Sequence, residues 1–146
     1  MVITKDTRHV STSHNLADLA GRILLAAMFL IAGIQKVGGY AGTQGYMESM
    51  GVPGALLPLV IALEVIGAIA IVAGWHTRLF AFLLAGFTVL SALIFHRTPG
   101  DPVQALLFMK NLAIAGGFLL LVARGPGQWS LDARRVEHMA PDGGRL

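Results

Sequence analysis

Residues 55–74 read ALLPLVIALEVIGAIAIVAG and hold a single ionisable side chain, Glu64, near their middle. At about 1.5 Å of rise per residue, such a helix spans about 30 Å, the thickness of a bilayer's hydrocarbon core. A carboxylate at that depth costs about 3 kcal/mol on insertion scales, so it faces a protein partner or a wet cavity. What Glu64 faces is therefore the question that the remaining residues must answer.

The chain has 146 residues, of which 55% are hydrophobic and only 13% charged, with a mean hydropathy of +0.68. A soluble domain carries about 25% charged residues, so the composition is that of an integral membrane protein. The length suits one compact unit. The net charge of +3 is small, and the basic residues sit at the ends of apolar segments. They read as topology signals and not as a nucleic-acid surface. The chain has no cysteine. This excludes disulfides, thiolate catalysis and cysteine-ligated zinc or iron–sulfur sites, and leaves redox chemistry to an organic cofactor or a partner protein. Residues 1–15 are polar and lack the pattern of a cleavable signal, so the first apolar segment is expected to be retained.

Hydropathy and turn signals predict an all-α fold, a transmembrane four-helix bundle with helices over 16–37, 55–74, 79–95 and 103–123. A short extra helix or lid is expected at 43–50, between helices one and two, capped by Thr43 and presenting Tyr46, Met47 and Met50 to the bundle. A flexible cytoplasmic tail (1–15) precedes the membrane domain (16–133), and a polar tail (134–146) follows it. Arg22 and Lys36 bracket helix one, placed to snorkel toward opposite interfaces, and Arg78 reads with Arg22 as an anchor. Four crossings put eight of the eleven Lys and Arg residues on the side of the termini, leaving Lys36, Arg97 and Lys110 on the other. The positive-inside rule then makes both termini cytoplasmic.

This topology gathers the intramembrane polar groups in the outer half of the bundle. Gln35 and Lys36 end helix one, and His96 ends helix three. Glu64 lies about 13 Å inward, and Lys110 and Asn111 about 11 Å inward. The matching depths predict that Glu64 meets Lys110 or Lys36 inside a polar pocket, because a charge pair in lipid costs less than two lone charges. Glu64 and His96 are the candidate proton-handling residues; Lys36, Gln35, Lys110, Asn111 and Tyr46 are the candidate ligand-binding ones. The same residues also fit a purely structural ion pair, an interfacial Lys110 and a His96 that only ends its helix. The five histidines show no paired helical spacing and fall on different sides of the membrane, so no metal site is expected.

Several short motifs, in order, resemble the DoxX family. They are Arg22 opening helix one, Ala32-Gly33-Ile34-Gln35-Lys36 closing it, Met50-Gly51-Val52-Pro53, Glu64-x-x-Gly67, and Gly74-x-x-x-Arg78. His96 ending helix three and the closing Gly125-x-Gly127-x-Trp129-Ser130-Leu131-Asp132 complete the set. The resemblance covers about residues 16–133 and implies a four-helix bacterial inner-membrane protein, related to the membrane subunits of a thiosulfate:quinone oxidoreductase. It places Glu64, Lys36, Arg22, Arg78 and His96 on the family's characteristic polar positions. It implies a redox-linked subunit with a periplasm-side pocket for a quinone or small substrate, working with a soluble or membrane redox protein. A non-enzymatic scaffold or assembly factor for a soluble enzyme is the alternative, and a small transporter the third reading. Substrate, autonomous catalysis and association into homo-oligomers stay open.

Overall fold

The computed structural model describes residues 6–139, with side chains from residue 12 onward, and among these residues every regular element is helical. The order is α1 (Asp6–Gly38), α2 (Tyr40–Ser49), α3 (Leu57–Ala73), α4 (Thr77–Phe95), α5 (Pro102–Arg124) and α6 (Leu131–Met139), with a 3-10 turn, Gly54–Leu56, leading into α3. Four helical stretches are long and apolar enough to cross a membrane: Thr12–Gly38, Gly54–Ala73, Thr77–Phe95 and Pro102–Arg124.

The boundaries follow from local chemistry. α1 starts at Asp6 and not at residue 16, because neither glycine nor proline interrupts the chain before Gly21. Residues 6–15, expected as a loose tail, are therefore helical backbone, and residues 1–5 lie outside the described residues. At the other end, α6 takes up the first part of the expected polar tail, and residues 140–146 lie outside the description. The lid helix starts at Tyr40, so Thr43 is internal to α2 and does not cap it; its hydroxyl donates back to the Gly39 carbonyl at 3.1 Å. Gly39 alone separates α1 from α2, its N–H still donating to Gln35 at 2.9 Å. At α5, Asp101 accepts from the N–H groups of Val103 (2.9 Å) and Gln104 (3.3 Å), and Pro102 follows where no N–H is needed.

α1 packs on α3, α3 on α4 and α4 on α5, whereas α1 and α5 touch only sparsely. The four spanning helices thus form a bundle with one loose seam. Its core is Ala26, Phe29, Ala68, Ile71, Ala81, Leu84, Ala85, Ala115 and Phe118. The five alanines let backbones approach closely, which is how helices gain contact where lipid supplies no hydrophobic drive. α1 and α3 approach closely at Gly33, where a Cβ would stand 2.7 Å from a Val65 methyl and 3.3 Å from the Glu64 Cβ. Outward, large apolar side chains such as Leu24, Ile31, Leu106 and Leu120 are exposed, as lipid-facing residues are.

The end of the bundle that carries the termini is closed by polar contacts. α3 ends at Gly74 (φ +68°), and Trp75 N–H returns to the Ala70 carbonyl at 2.9 Å. Arg22, only 1% exposed, donates from Nη1 to the carbonyls of Ile71 (3.4 Å) and Val72 (3.0 Å), and from Nη2 to that of Trp129. It does not snorkel: it satisfies the orphan carbonyls of a helix C-terminus, where a cation also suits the dipole. Asp132, far along the chain, caps α4. Its Oδ1 accepts from His76 N–H (2.8 Å), its Oδ2 from Thr77 N–H (2.9 Å) and hydroxyl (2.8 Å), and its own N–H donates to the Gly74 carbonyl (2.8 Å). Burial alone would raise the Asp132 carboxyl, but the hydrogen bonds from Thr77 and His76 outweigh it and hold it below its ordinary value.

Two outcomes follow from this closed end. At Gly74 a Cβ would stand 2.3 Å from the Ser130 Cβ and 2.5 Å from Arg22 Nη1. Gly74→Ala adds this clash to about 1–2 kcal/mol of left-handed strain, so its thermal midpoint in detergent should fall well below that of Gly116→Ala, a site with open space. A depressed carboxyl contributes stability that is present above its unfolded pKa and lost as pH falls through the folded one. The wild type should therefore lose part of its margin over Asp132→Asn on acidification below the ordinary carboxylate range, read from detergent unfolding at stepped pH.

Candidate functional site

The opposite end of the bundle holds a partly open cavity of about 380 Å³. Its wall is almost wholly apolar, with contributions from Met28, Phe29 and Ala32 on α1, Val60 on α3, and Phe87, Ile94 and Phe95 on α4. Into this wall the chain sets Lys36, Glu64, Thr88, Ser91, His96 and Asn111.

Glu64 is 3% exposed. Its Oε1 accepts from Lys36 Nζ at 2.9 Å, while the lysine side chain remains 26% exposed. Gly33 and Lys36 are three residues apart on one face of α1, so the close approach at Gly33 brings the carboxylate within reach of the ammonium. The other carboxylate oxygen, Oε2, is buried without a hydrogen-bond partner among the described residues. Such an atom is expensive in a dry protein, and its residue is one of those that line the cavity.

α2 lies over the cavity as a lid. Thr43, Tyr46 and Met47 line it; Met47 is buried, and the Tyr46 ring stacks on Phe95 with centroids 5.4 Å apart. The lid fits because Gly54 has no side chain: a Cβ there would meet the Glu48 carboxylate at 2.3 Å and Gln44 at 2.4 Å. His96 ends α4 at the rim, and its Nδ1 is 2.8 Å from Gln104 Oε1. Thr88 donates its hydroxyl to the Leu84 carbonyl of its own helix at 2.6 Å and presents little free hydrogen-bonding capacity.

Of the residues expected at this site, Glu64, Lys36, His96, Asn111 and Tyr46 come together around the cavity. Gln35 and Lys110 do not; both are exposed and line no part of it. The expectation matched depths along the helices, but a helix also turns about 100° per residue. With Lys36 and Asn111 facing inward, their neighbours Gln35 and Lys110 face out, and the partner of Glu64 is Lys36. Arg22 and Arg78 lie at the other end, with Arg78 against Gly125. Gln104 was not anticipated. Its signal is its place in the first turn after the Asp101 cap, across the turn from His96.

The DoxX family description matches residues 17–97, more than half of the chain. The chain belongs to the DoxX family. This DoxX protein is 55% identical over 114 residues to the inner membrane protein YqjF of Escherichia coli (strain K12), an alignment covering 78% of this chain and 88% of YqjF. It is 43% identical over 123 residues to the inner membrane protein YphA of the same organism, covering 80% and 88% respectively. Lower similarity, 28% over 85 residues, links it to CatD of Bacillus subtilis (strain 168), covering 58% of this chain and 63% of CatD, whose name carries a provisional oxidoreductase assignment. No solved structure matches the chain at a meaningful level.

The pair at the site makes a sharp stability test. Lys36→Met strands the Glu64 carboxylate and should cost on the order of 3 kcal/mol, while Lys36→Met combined with Glu64→Gln should recover most of it. Lys110→Met should leave the thermal midpoint in detergent nearly unchanged. Equal losses in the two lysine variants would contradict the pairing.

Proposed function

We propose that this DoxX protein is a redox-linked membrane subunit whose lidded cavity takes a quinone or another small, largely apolar ring, with the cavity on the periplasmic side and both termini in the cytoplasm. The observation that carries the reading is the buried Glu64, which lines an apolar cavity and whose Oε2 has no hydrogen-bond partner among the described residues. An apolar pocket with a few convergent polar groups is the usual form of a small-molecule site. The carboxylate oxygen fits a ligand that brings a hydroxyl donor, and the Lys36 ammonium, partly exposed, fits one that brings a carbonyl acceptor. The name of CatD agrees with a redox association.

A bound quinone would supply two-electron, two-proton chemistry. The chain's own part is to bind the ring among Phe29, Phe87 and Phe95, to exclude water beneath α2, and to hold or release a proton at Glu64 Oε2. Lys36 keeps the carboxylate in place, and His96 with Gln104 forms a polar step between the cavity and the outer surface. Electrons would come from a partner protein or a second organic cofactor, since a chain without cysteine has no thiol or cysteine-ligated centre of its own.

The test pairs ligand and orientation. Quinone extracted from the purified wild type should exceed that from Glu64→Gln and from Val60→Trp, which fills the cavity, with both variants folded by circular dichroism. A reporter fused after Leu146 should be active only in the cytoplasm. Equal quinone in all three proteins, together with stable capture of a soluble enzyme, would favour the scaffold role; a periplasmic reporter signal would reverse the side of the cavity.

A further inference from the structure

A second cleft, of about 190 Å³, opens on the loose seam between α1 and α5, at the end carrying the termini. The edge-to-face pair Phe29–Phe118, with centroids 5.3 Å apart, closes the middle of that seam, so this cleft is separate from the lidded cavity. Leu25, Gly117 and Leu121 line it together with the charged Asp18, Arg22 and Arg124, of which Arg22 is buried. Gly117 keeps it open: a Cβ there would already stand 3.2 Å from a Leu25 methyl.

The chemistry of these charged groups is that of an anion site. Arg22 is 1% exposed and its two terminal nitrogens are used by chain carbonyls, but its buried Nε has no acceptor among the described residues. Arg124 is exposed beside it, at the last turn of α5. Asp18 and Asp132 both act on Arg22, so the exposed Arg124 is the cation at this cleft left for an anion to pair with. Directly outside the seam, Leu24 and Leu120 are exposed where acyl chains would run.

We propose that this cleft binds the phosphodiester headgroup of an anionic phospholipid from the leaflet on the side of the termini. The phosphate gives the Arg22 Nε–H an acceptor and pairs with Arg124, the glycerol occupies the cleft above Gly117, and the chains lie along the seam. Arginine suits this task because its fork can serve chain carbonyls and a phosphate oxygen at once. A lipid so held also fills the one helix contact that the protein leaves thin.

The full chain, reconstituted in nanodiscs of phosphatidylcholine doped with phosphatidylglycerol and then released into mild detergent, can be read by native mass spectrometry. Phosphatidylglycerol should be enriched among the retained lipids. Arg124→Gln should lower that enrichment about fivefold, the size of one basic contact near an anionic headgroup. Gly117→Leu should lower it by filling the cleft, and Arg134→Gln, an exposed arginine on α6, should not change it. Arg22 is avoided because it also holds the fold; if Gly117→Leu fails to fold, Arg124→Gln against Arg134→Gln still decides. Equal retention of both lipids, or equal effects of Arg124→Gln and Arg134→Gln, overturns the site. Stabilisation of the detergent-solubilised protein by inorganic phosphate, without lipid enrichment, assigns the anion site to free phosphate and overturns the lipid.

Discussion

A guanidinium removed from water holds one end of this bundle together. Arg22 reaches from α1 to the last carbonyls of α3 and to the Trp129 carbonyl in the segment that follows α5. The strand of chain it meets there delivers Asp132 to the start of α4. Three of the spanning helices and the segment leaving the fourth are therefore tied through two side chains of opposite charge. In lipid, helix-end carbonyls and N–H groups cannot turn to water, so each needs an internal partner. The lone charge that looks costly in the sequence is what removes a larger cost from the backbone.

The two ends of the protein are closed in different ways. At the end with the termini, helix ends, turn and cap exchange hydrogen bonds almost completely, and glycines at 74 and 127 admit neighbours within distances that a side chain would forbid. At the lidded end, one ion pair leaves a buried oxygen unmatched and a cavity beside it. Each end thus keeps one buried polar atom unmatched among the described residues, Arg22 Nε at the end with the termini and Glu64 Oε2 at the lidded end.

Hydropathy made the four spans legible, because twenty apolar residues have few other uses, and the cost of a buried carboxylate made a basic partner for Glu64 legible as well. Depth along a helix could be counted from the turns. Rotation about its axis could not, since the apolar residues here surround each helix and leave no amphipathic stripe to fix which side faces inward. Hence Asn111 and Lys36 line the cavity while Lys110 and Gln35 do not. Arg22 was legible as a charge near a helix end but not as a cap, because its carbonyl partners lie 49, 50 and 107 residues away. The Asp132 cap was hidden for the same reason: its helix begins 55 residues earlier in the chain. The start of α2 was misjudged because glycines at 38 and 39 suggest a loop, whereas the backbone bends at Gly39 and resumes a helix at once.

That bend has a mechanical consequence. Lys36 stands one turn before Gly39, and the lid helix starts one residue after it. With so short a joint, α2 cannot swing off the cavity without transmitting torque to the last turn of α1, where the ammonium meets Glu64. For the guest proposed above, entry to the cavity and separation of its charges would therefore be one coordinate. A guest that displaced the lid would also loosen the carboxylate's hold on its counter-ion.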